Sequence, residues 1–324
     1  MDTLYKIQGP VQTELKKFDK VFSDTMRSKI PLLNIIINFI IRRKGKQIRP
    51  LLIFLSAKLN GEVNESTYTA ASLAELLHTA TLIHDDVVDE SYERRGFLSI
   101  NAIWRSKIAV LMGDYLLSKG LILSVEKNEF EILGIFTGAV QEMIEGELFQ
   151  IQKSRKLNIS EEEYFDIIRK KTATLLSACT ESGARSVTAD KEKLRLMKEF
   201  GLKIGMAFQI KDDLFDYETN SLIGKPKGND IQEKKLTLPL ISALEMSPAD
   251  ERRKIIKLIN KKSSKRNTYD QVFQFVHERG GVEYAKNKMY ALHEEAIQLL
   301  MEYPESQIRS AMKDLVEYIV ERTK

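Results

Sequence analysis

The sequence is poor in cysteine and in proline. Its 324 residues include one cysteine, Cys179, which excludes a disulfide framework and a metal site built from several thiolates. A single thiol is typical of a reducing compartment, and we expect the protein to be cytoplasmic. Seven prolines are present, but none lies between Pro50 and Pro226. Because proline breaks helices, so long a stretch without it predicts one helix after another.

The chain also lacks a strong net charge and a long apolar run. A net charge of +4 does not favour nucleic-acid binding and is compatible with small anionic ligands. The apolar run Ile35–Ile41 ends at Arg42 and is too short to span a bilayer, and the N-terminus does not have the pattern of a secretory signal. Peripheral membrane contact remains open. No Ser-His-Asp or Cys-His arrangement and no glycine-rich nucleotide loop is apparent.

What is present is a helical pattern. Apolar residues recur every three and four positions, for example at Leu73, Leu77 and Ala80, and no sustained strand-type alternation appears. Ser160 and Glu163 have the spacing of a capping box that opens a helix. We therefore predict an all-α protein with buried central helices. No linker divides the chain, so we expect a single domain over residues 1–324.

Two acidic motifs of the form Asp-Asp-x-x-Asp interrupt this pattern, at Asp85–Asp89 and at Asp212–Asp216. The first and last aspartates of each motif are four residues apart and share one helix face. Clustered carboxylates repel one another, most strongly when buried, so a cation should compensate. Oxygen ligands without cysteine favour a hard ion such as Mg²⁺. One such motif is more often a solvated helix face, but two predict a clamp for a diphosphate.

Basic residues accompany the acidic motifs. Gly45, Lys46 and Arg49 form a short element at a helix start, where the arginine can fork onto phosphate oxygens. Alone, this element would be a surface turn. His78, seven residues before Asp85, would usually be a core residue but could donate to a diphosphate. Further cations lie close to the motifs in sequence or between them: Arg94, Arg95, Lys171, Lys225 and Lys235.

Eight segments carry a family resemblance. They are GKQIRP at 45–50, ELLHTATLIHDDVVDESYERRG at 75–96, AVLMGDYLLSKG at 109–120, EGELFQ at 145–150, KTATL at 171–175, GMAFQIKDDLFDY at 205–217, GKPKGNDI at 224–231 and KLTLPLI at 235–241. In order and spacing they resemble the trans-isoprenyl diphosphate synthase (polyprenyl synthetase) family, most of all its bacterial long-chain, octaprenyl-type members. Two loop positions depart from the family: Leu98 stands where proline is common, and Lys234 where glycine is common.

The resemblance implies a fold, a reaction and a cofactor. The fold would be a bundle of antiparallel helices around a central cavity, usually in a homodimer. The reaction would be head-to-tail condensation of isopentenyl diphosphate onto an allylic diphosphate, such as a farnesyl or geranylgeranyl primer. The cofactor would be Mg²⁺, with three ions when substrate is bound. The product would be a lipid that feeds quinone side chains, and its release could involve membrane contact.

The resemblance also assigns residues. Magnesium would be bound by Asp85, Asp89, Asp212 and Asp216. The catalytic set would be Asp85, Asp86, Asp89, Arg94, Lys171, Asp212, Asp213 and Lys225. The allylic diphosphate would be held by Arg94, Lys171, Thr172, Gln209, Lys225 and Lys235. Isopentenyl diphosphate would be held by Gly45, Lys46, Arg49, His78 and Arg95.

Product length should depend on the helix that leads to the first acidic motif. Ala80 lies about 7.5 Å along the helix axis from Asp85 and, with Thr81, leaves space where an aromatic side chain would block the growing tail. The tunnel would be lined by Leu73, Leu76, Leu77, Ala80 and Thr81. We therefore expect a long-chain product, around octaprenyl diphosphate. Ala80 could instead reflect good helix packing, with another residue setting the length.

Other classes remain to be tested. A short- or medium-chain synthase, making farnesyl or geranylgeranyl diphosphate, would share every motif except the tunnel. A class I terpene cyclase would need neither the second acidic motif nor the GKQIRP element. A non-catalytic subunit of a heteromeric synthase should have eroded acids, and here both motifs are complete. A scaffold or binding protein would not need buried acids matched to bases.

Overall fold

Helices make up almost all of the described structure. The computed structural model describes residues 3–43, 45–94, 96–154, 157–217, 235–260 and 266–322. Its helices are α1 Thr3–Gln8, α2 Gln12–Met26, α3 Pro31–Ile41, α4 Ile48–Asn60, α5 Glu65–Val88, α6 Ile100–Glu126, α7 Phe130–Ser154, α8 Glu161–Ile168, α9 Thr174–Arg185, α10 Lys191–Phe215, α11 Leu238–Glu245, α12 Ala249–Asn260, α13 Arg266–Glu278, α14 Gly281–Met301 and α15 Gln307–Glu321. The all-α prediction is confirmed.

Four short elements complete this list. Gly9–Val11 forms a 3₁₀ turn, and Arg169–Ala173 forms a π-helical turn between α8 and α9. The strands β1 Glu93–Arg94 and β2 Phe97–Leu98 pair antiparallel in a hairpin between α5 and α6. The hairpin therefore follows the first acidic motif directly.

Local sequence signals account for several helix starts. The Asn64 side chain accepts from the backbone of Thr67 in a capping box at the start of α5. The predicted capping box of Ser160 and Glu163 is confirmed at the start of α8. These side chains satisfy backbone N–H groups that have no partner in the first helical turn. The helices begin where the sequence provides these caps.

The first of two compact units comprises Met1–Gly138, Ala178–Lys198 and Ser306–Ala311. Its central helix, α4, is buried from Pro50 to Ala57. Phe54 on this helix packs against Phe18 of α2 and Tyr68 of α5, with ring centroids 5.9 and 5.2 Å away. Helix α4 is thus a buried central helix of this unit.

Helices α5 and α6 run antiparallel within this unit. Gly113 of α6 lies beside His84, near the end of α5, whereas Gly120 lies beside Leu73, more than two turns earlier. Within α6, Arg105 has a φ of 65° and a ψ of 165°, so the helix is kinked there. Among the described residues, α6 is the one helix long and apolar enough to cross a membrane by length and composition, and 33% of its most apolar window is buried.

The second unit comprises Ala139–Ser177, Glu199–Glu305 and Met312–Lys324. Ile210, Leu214 and Tyr217, in and just after the C-terminal half of α10, are almost fully buried in its hydrophobic core. Residues of α8, α11, α12, α13, α14 and α15 also belong to this core. The second acidic motif is therefore continuous with buried apolar residues of its own unit.

Candidate active site

The first acidic motif spans the C-terminal end of α5. The helix ends at Val88, and the backbone N–H of Asp89 donates to the carbonyl of Asp85 at 2.8 Å. Asp85 and Asp89 are exposed, whereas the side chain of Asp86 is buried. The outer two aspartates therefore face solvent together, as their spacing predicted, and the middle one does not.

The GKQIRP element lies at the start of α4. Gly45 and Lys46 are exposed. Gln47 adopts a left-handed backbone conformation, with a φ of 52°, and its side-chain amide donates to Asp19 of α2 at 2.8 Å. Arg49 donates through Nε to Glu75 of α5 at 2.9 Å.

This ion pair places Arg49 near the predicted isopentenyl diphosphate ligand on α5. Its partner Glu75 is one turn before His78. His78 is half-buried and lies in line with Asp85, about 10 Å along the same helix. Arg49, through its pair with Glu75, and His78 therefore lie along the helix that ends in the first motif, and their role in binding isopentenyl diphosphate stays a prediction.

The β1–β2 hairpin carries the predicted arginine pair. Arg94 belongs to β1, although its side chain is not among those described, and Arg95 lies outside the described residues. The hairpin is attached to the segment before α4 by Arg43, which donates to the carbonyl of Leu98 at 2.8 Å and stacks on Phe97. Leu98, which stands where the family commonly has proline, is thus part of strand β2. Lys234 lies outside the described residues.

The second acidic motif repeats the arrangement of the first. It spans the end of α10, which closes at Phe215. Asp212 and Asp216 are half-exposed, and Asp213 is buried. The Asp213 carboxylate accepts from the hydroxyl of Tyr164 at 2.7 Å and from the amide of Gln209 at 2.9 Å. A buried carboxylate with two donors is held in one orientation.

The predicted allylic diphosphate ligands lie beside the second motif. Thr172 donates to the side-chain oxygen of Gln209 at 2.8 Å, which connects the π-helical turn to α10. Gly205 permits this approach, because a Cβ there would lie 2.4 Å from the Cα of Ala173. The structure thus brings Thr172, Gln209 and Asp213 into one hydrogen-bonded chain.

Lys171 precedes Thr172 in the same π-helical turn. Its ammonium group pairs with Glu147 and donates to Gln150 at 2.7 Å, so the EGELFQ segment of α7 is its partner. Lys235 is half-buried in the segment before α11. Lys225 lies outside the described residues. The structure therefore describes two of the three predicted lysines of this set.

An arginine near the C-terminus covers the first acid of the second motif. Arg322 donates to Asp212 at 2.5 Å and to the carbonyl of Phe208 at 3.2 Å, and its guanidinium lies 3.8 Å from the centre of the Phe208 ring. Its side chain is 10% exposed. The Arg322 guanidinium is thus held by its charge on Asp212 and by stacking on Phe208.

Tyrosines also frame the second motif. The hydroxyl of Tyr269 donates to the carbonyl of Asp216 at 2.8 Å. Burial, with the charges of Asp216 and Asp270, raises the pKa of Tyr269 to about 12. Tyr269 therefore remains a neutral hydrogen-bond donor at physiological pH.

The residues proposed to line the tunnel lie on α5. Leu73, Leu76, Leu77 and Ala80 are buried. Thr81 is half-buried, and its hydroxyl donates to the carbonyl of His78 at 2.9 Å. Ala80 has the smallest of these side chains and lies about one turn before the motif. That these residues line a tunnel stays a prediction.

Sequence reasoning missed several residues of the site. Tyr164, Glu75 and Asp19 act through contacts with partners 26 to 49 positions away in the chain, which no local pattern reveals. Arg322 has no local sequence signal either, because its partner Asp212 lies 110 positions away in the chain. The π-helical turn offered one signal, because Lys171 and Thr172 interrupt the apolar spacing between α8 and α9.

Each unit therefore carries an aspartate motif at a helix end, with a buried middle acid and polar or basic side chains nearby. Comparisons of the sequence and of the structure with known proteins identify the family to which such a site belongs. A family model described as polyprenyl synthetase matches residues 30–276. An all-trans-nonaprenyl-diphosphate synthase (geranyl-diphosphate specific) from Rhodobacter capsulatus is 33% identical over 99% of both chains.

Solved structures are similar over the same length. A polyprenyl synthase from Caulobacter crescentus CB15, complexed with calcium and isoprenyl diphosphate, has a TM-score of 0.89 at 31% identity and covers 99% of this chain and 98% of its own. A geranylgeranyl pyrophosphate synthase from Bacteroides thetaiotaomicron has a TM-score of 0.84 at 37% identity, covering 99% and 100%. The chain belongs to the polyprenyl synthetase family.

Proposed function

We propose that the protein is a long-chain trans-polyprenyl diphosphate synthase. It condenses isopentenyl diphosphate head-to-tail onto a farnesyl or geranylgeranyl primer and makes a product around octaprenyl diphosphate for quinone side chains. The observation that carries the proposal is the repeated motif: in each unit two accessible aspartates flank a buried one at a helix C-terminus. Membership of the polyprenyl synthetase family supports the reaction class.

The position of the acids at helix ends supports a cation cofactor. The C-terminus of a helix carries about half a negative elementary charge, so accessible carboxylates there are destabilised until a cation binds. The donors are carboxylate oxygens, which suit Mg²⁺. Within the described residues, no three acidic, histidine or cysteine side chains converge on one metal point. Diphosphate oxygens and water would therefore complete the coordination, as is usual for Mg²⁺.

In this proposal Asp85, Asp89, Asp212 and Asp216 hold the ions, three when substrate is bound. When bound, magnesium supplies positive charge that stabilises the departing diphosphate. Asp86 and Asp213 act as buried supports for the outer acids. The full catalytic set is the one assigned from the family resemblance.

The basic residues hold the two substrates. Lys171, Thr172 and Gln209, with Arg94, Lys225 and Lys235, would orient the allylic diphosphate. Gly45, Lys46, Arg49, His78 and Arg95 would orient isopentenyl diphosphate. The salt bridge of Lys171 with Glu147 keeps its ammonium in place before substrate arrives. Such fixed charges favour a transition state in which negative charge develops on the leaving group.

The reaction follows from this arrangement. The allylic C–O bond breaks, and both electrons leave with the diphosphate. The double bond of isopentenyl diphosphate attacks the allylic cation and forms the new carbon–carbon bond. A proton then leaves the adjacent carbon for the released diphosphate. The protein contributes positioning and exclusion of water, which would otherwise trap the cation.

The size of Ala80 supports the long-chain product. A specific observation favours the shorter alternative: the geranylgeranyl pyrophosphate synthase from Bacteroides thetaiotaomicron is 37% identical. A farnesyl or geranylgeranyl diphosphate synthase is therefore the second candidate. The role of a subunit in a heteromeric synthase is the third.

The exposed side of α6 and the buried Cys179 bear on the assembly and the location of the protein. We infer a homodimer from the exposed apolar residues along α6, which include Leu111, Leu121, Ile122 and Val125. A reducing, cytoplasmic setting agrees with Cys179, which is buried, so that the pKa of its thiol is raised to about 12. The 324 residues would act as one synthase domain around a central cavity, with peripheral membrane contact at product release.

The test is turnover by the purified chain alone. Labelled isopentenyl diphosphate, farnesyl diphosphate and Mg²⁺ should give a product of about eight isoprene units by chromatography. A product of four units, or one of three units when geranyl diphosphate replaces farnesyl diphosphate as the primer, would favour the shorter-chain alternative. No product from the lone chain, with product on adding an extract of its source, would favour the heteromeric subunit.

A further inference from the structure

Gly113 of helix α6 contacts the side chain of His84, the residue immediately before the first acidic motif. A Cβ built on Gly113 would lie 2.2 Å from Nε2, 2.5 Å from Cδ2 and 2.8 Å from Cε1 of His84. These three ring atoms show that the imidazole lies directly against the backbone of α6. Real Cβ atoms do not approach other atoms so closely, so any residue except glycine at 113 would displace the ring.

Two polar groups on the same helix surface hold the ring edge. His84 Nε2 lies 3.3 Å from the carbonyl of Val110 and 3.5 Å from a carboxylate oxygen of Asp114. Residues three and four apart share one helix face, so Val110, Gly113 and Asp114 form a single recess. We call these three residues the α6 recess. With a proton on Nε2, the ring donates to the Val110 carbonyl.

A second contact from α6 reaches the motif from Asn101, nine residues before Val110 of the recess. The side-chain amide of Asn101 donates to the carbonyl of Asp86 at 3.2 Å, and the backbone N–H of Ser91 donates to the same oxygen at 2.9 Å. The last turn of a helix lacks partners for its carbonyls and frays easily. Here α6 holds that turn at two points, His84 and Asp86.

These contacts do not resemble those of an ordinary core histidine. The His84 side chain is 31% exposed, so it is not enclosed in the core. Its neighbour Asp85 points to solvent and makes up half of the outer pair. Rotation of the last turn of α5 would move Asp85 and Asp89 together. A ring fixed immediately before Asp85 prevents that rotation.

We propose that His84 and the α6 recess are positioning elements that set the orientation of Asp85 and Asp89 for divalent-cation binding. The inference rests on the proposed function, which makes these two aspartates cation ligands. Gly113 is then required for the space it leaves, and His84 for filling it. Neither residue belongs to the proposed substrate-binding sets.

The experiment compares Gly113→Ala, His84→Ala and the double variant with the intact chain. Gly134→Ala is the matched control, because a Cβ at that position of α7 meets nothing within 4 Å. Mn²⁺ is the probe, counted by electron paramagnetic resonance with and without inorganic pyrophosphate. Amide hydrogen exchange over residues 85–91 reports the last turn of α5 without reference to metal or activity.

We expect Gly113→Ala to weaken Mn²⁺ binding about tenfold, the lower range for residues that orient metal ligands. Exchange over residues 85–91 should speed up at the same time, while Gly134→Ala changes neither. Adding His84→Ala removes the clash, so the double variant should bind no more weakly than His84→Ala alone. This non-additivity distinguishes a filled recess from two independent sites.

Three outcomes separate the inference from the proposed function. Normal Mn²⁺ binding by Gly113→Ala would overturn the inference if Asp85→Ala abolishes that binding. Additive losses in the double variant would also overturn it. Unchanged Mn²⁺ binding in Asp85→Ala would contradict the metal assignment of the proposed function instead, and exchange over residues 85–91 would still test whether the recess holds the turn. Melting temperatures show whether a variant has simply failed to fold.

Discussion

At the residue scale, the middle aspartate of each acidic motif is buried, whereas the outer two are accessible. Successive helical residues are rotated by about 100°, so residues four apart share a face and the residue between points elsewhere. Asp85 and Asp89 are accessible while Asp86 is buried, and Asp213 is buried in the second motif. The spacing Asp-Asp-x-x-Asp therefore gives two accessible carboxylates, the proposed cation ligands, and one buried carboxylate.

The support in the second motif can be tested through Tyr164. Tyr164→Phe removes the hydroxyl that donates to buried Asp213 at 2.7 Å and leaves the ring in place. We expect unfolding in urea to cost about 1–3 kcal/mol less, the usual penalty for leaving a buried polar group with one donor fewer. The control Tyr5→Phe changes an exposed hydroxyl and should leave the unfolding free energy the same. Equal stability of both variants would contradict a supporting role for Asp213.

Sequence alone predicted the helices, the capping box at Ser160 and the side of α5 that Asp85 and Asp89 share. These three features depend on the spacing of residues close together in the chain, which can be read from the sequence. It did not predict that both motifs lie at helix ends, because neither end is marked by glycine or proline. Contacts such as Tyr164 with Asp213 join residues 49 positions apart and depend on packing.

At the element scale, both motifs place negative charge at the C-terminal end of a helix. Helices α5 and α10 end at Val88 and Phe215, inside the motifs. The negative end of each helix dipole therefore adds to the charge of the aspartates. In the second unit Arg322 partly compensates this charge by pairing with Asp212. A divalent cation would do the same more strongly.

Arg322→Gln tests this compensation. In metal-free protein the variant should unfold about 1–2 kcal/mol more easily, a value below that for a fully buried pair because Asp212 is 41% exposed. Saturating Mg²⁺ should reduce the difference, since the ion replaces the guanidinium at Asp212. Arg195→Gln, which breaks an exposed pair with Glu192, is the control and should change little. A deficit that is the same at every Mg²⁺ concentration would argue against Asp212 as a cation ligand.

Helix α5 also carries the prediction on product length. Ala80→Phe places a ring one turn before Asp85, in a position now fully buried. The variant should therefore release shorter prenyl chains, because the growing tail meets the ring early. Ala80→Ser keeps the small volume and should leave the product as it is. Chromatography of the dephosphorylated products is the measurement, and an unchanged distribution in Ala80→Phe would assign the length limit to another residue.

At the scale of the whole molecule, the exposed apolar side of α6 predicts a dimer. Leu121 and Ile122 are 47% and 51% exposed, and water contact at both is unfavourable. Leu121→Glu should shift the sedimenting species from about twice 37.2 kDa towards the single chain. Lys191→Glu, at an exposed site on α10, should not. An intact chain that sediments as a monomer would remove the homodimer from the proposal.

The central claim is that this chain alone elongates an allylic diphosphate to a long prenyl chain. Mass-resolved product analysis after incubation with labelled isopentenyl diphosphate, farnesyl diphosphate and Mg²⁺ tests it most directly. The account predicts a product of about eight isoprene units and its loss in Asp85→Ala and in Asp212→Ala. A full-length product from either aspartate variant, or none from the intact chain, would contradict the account.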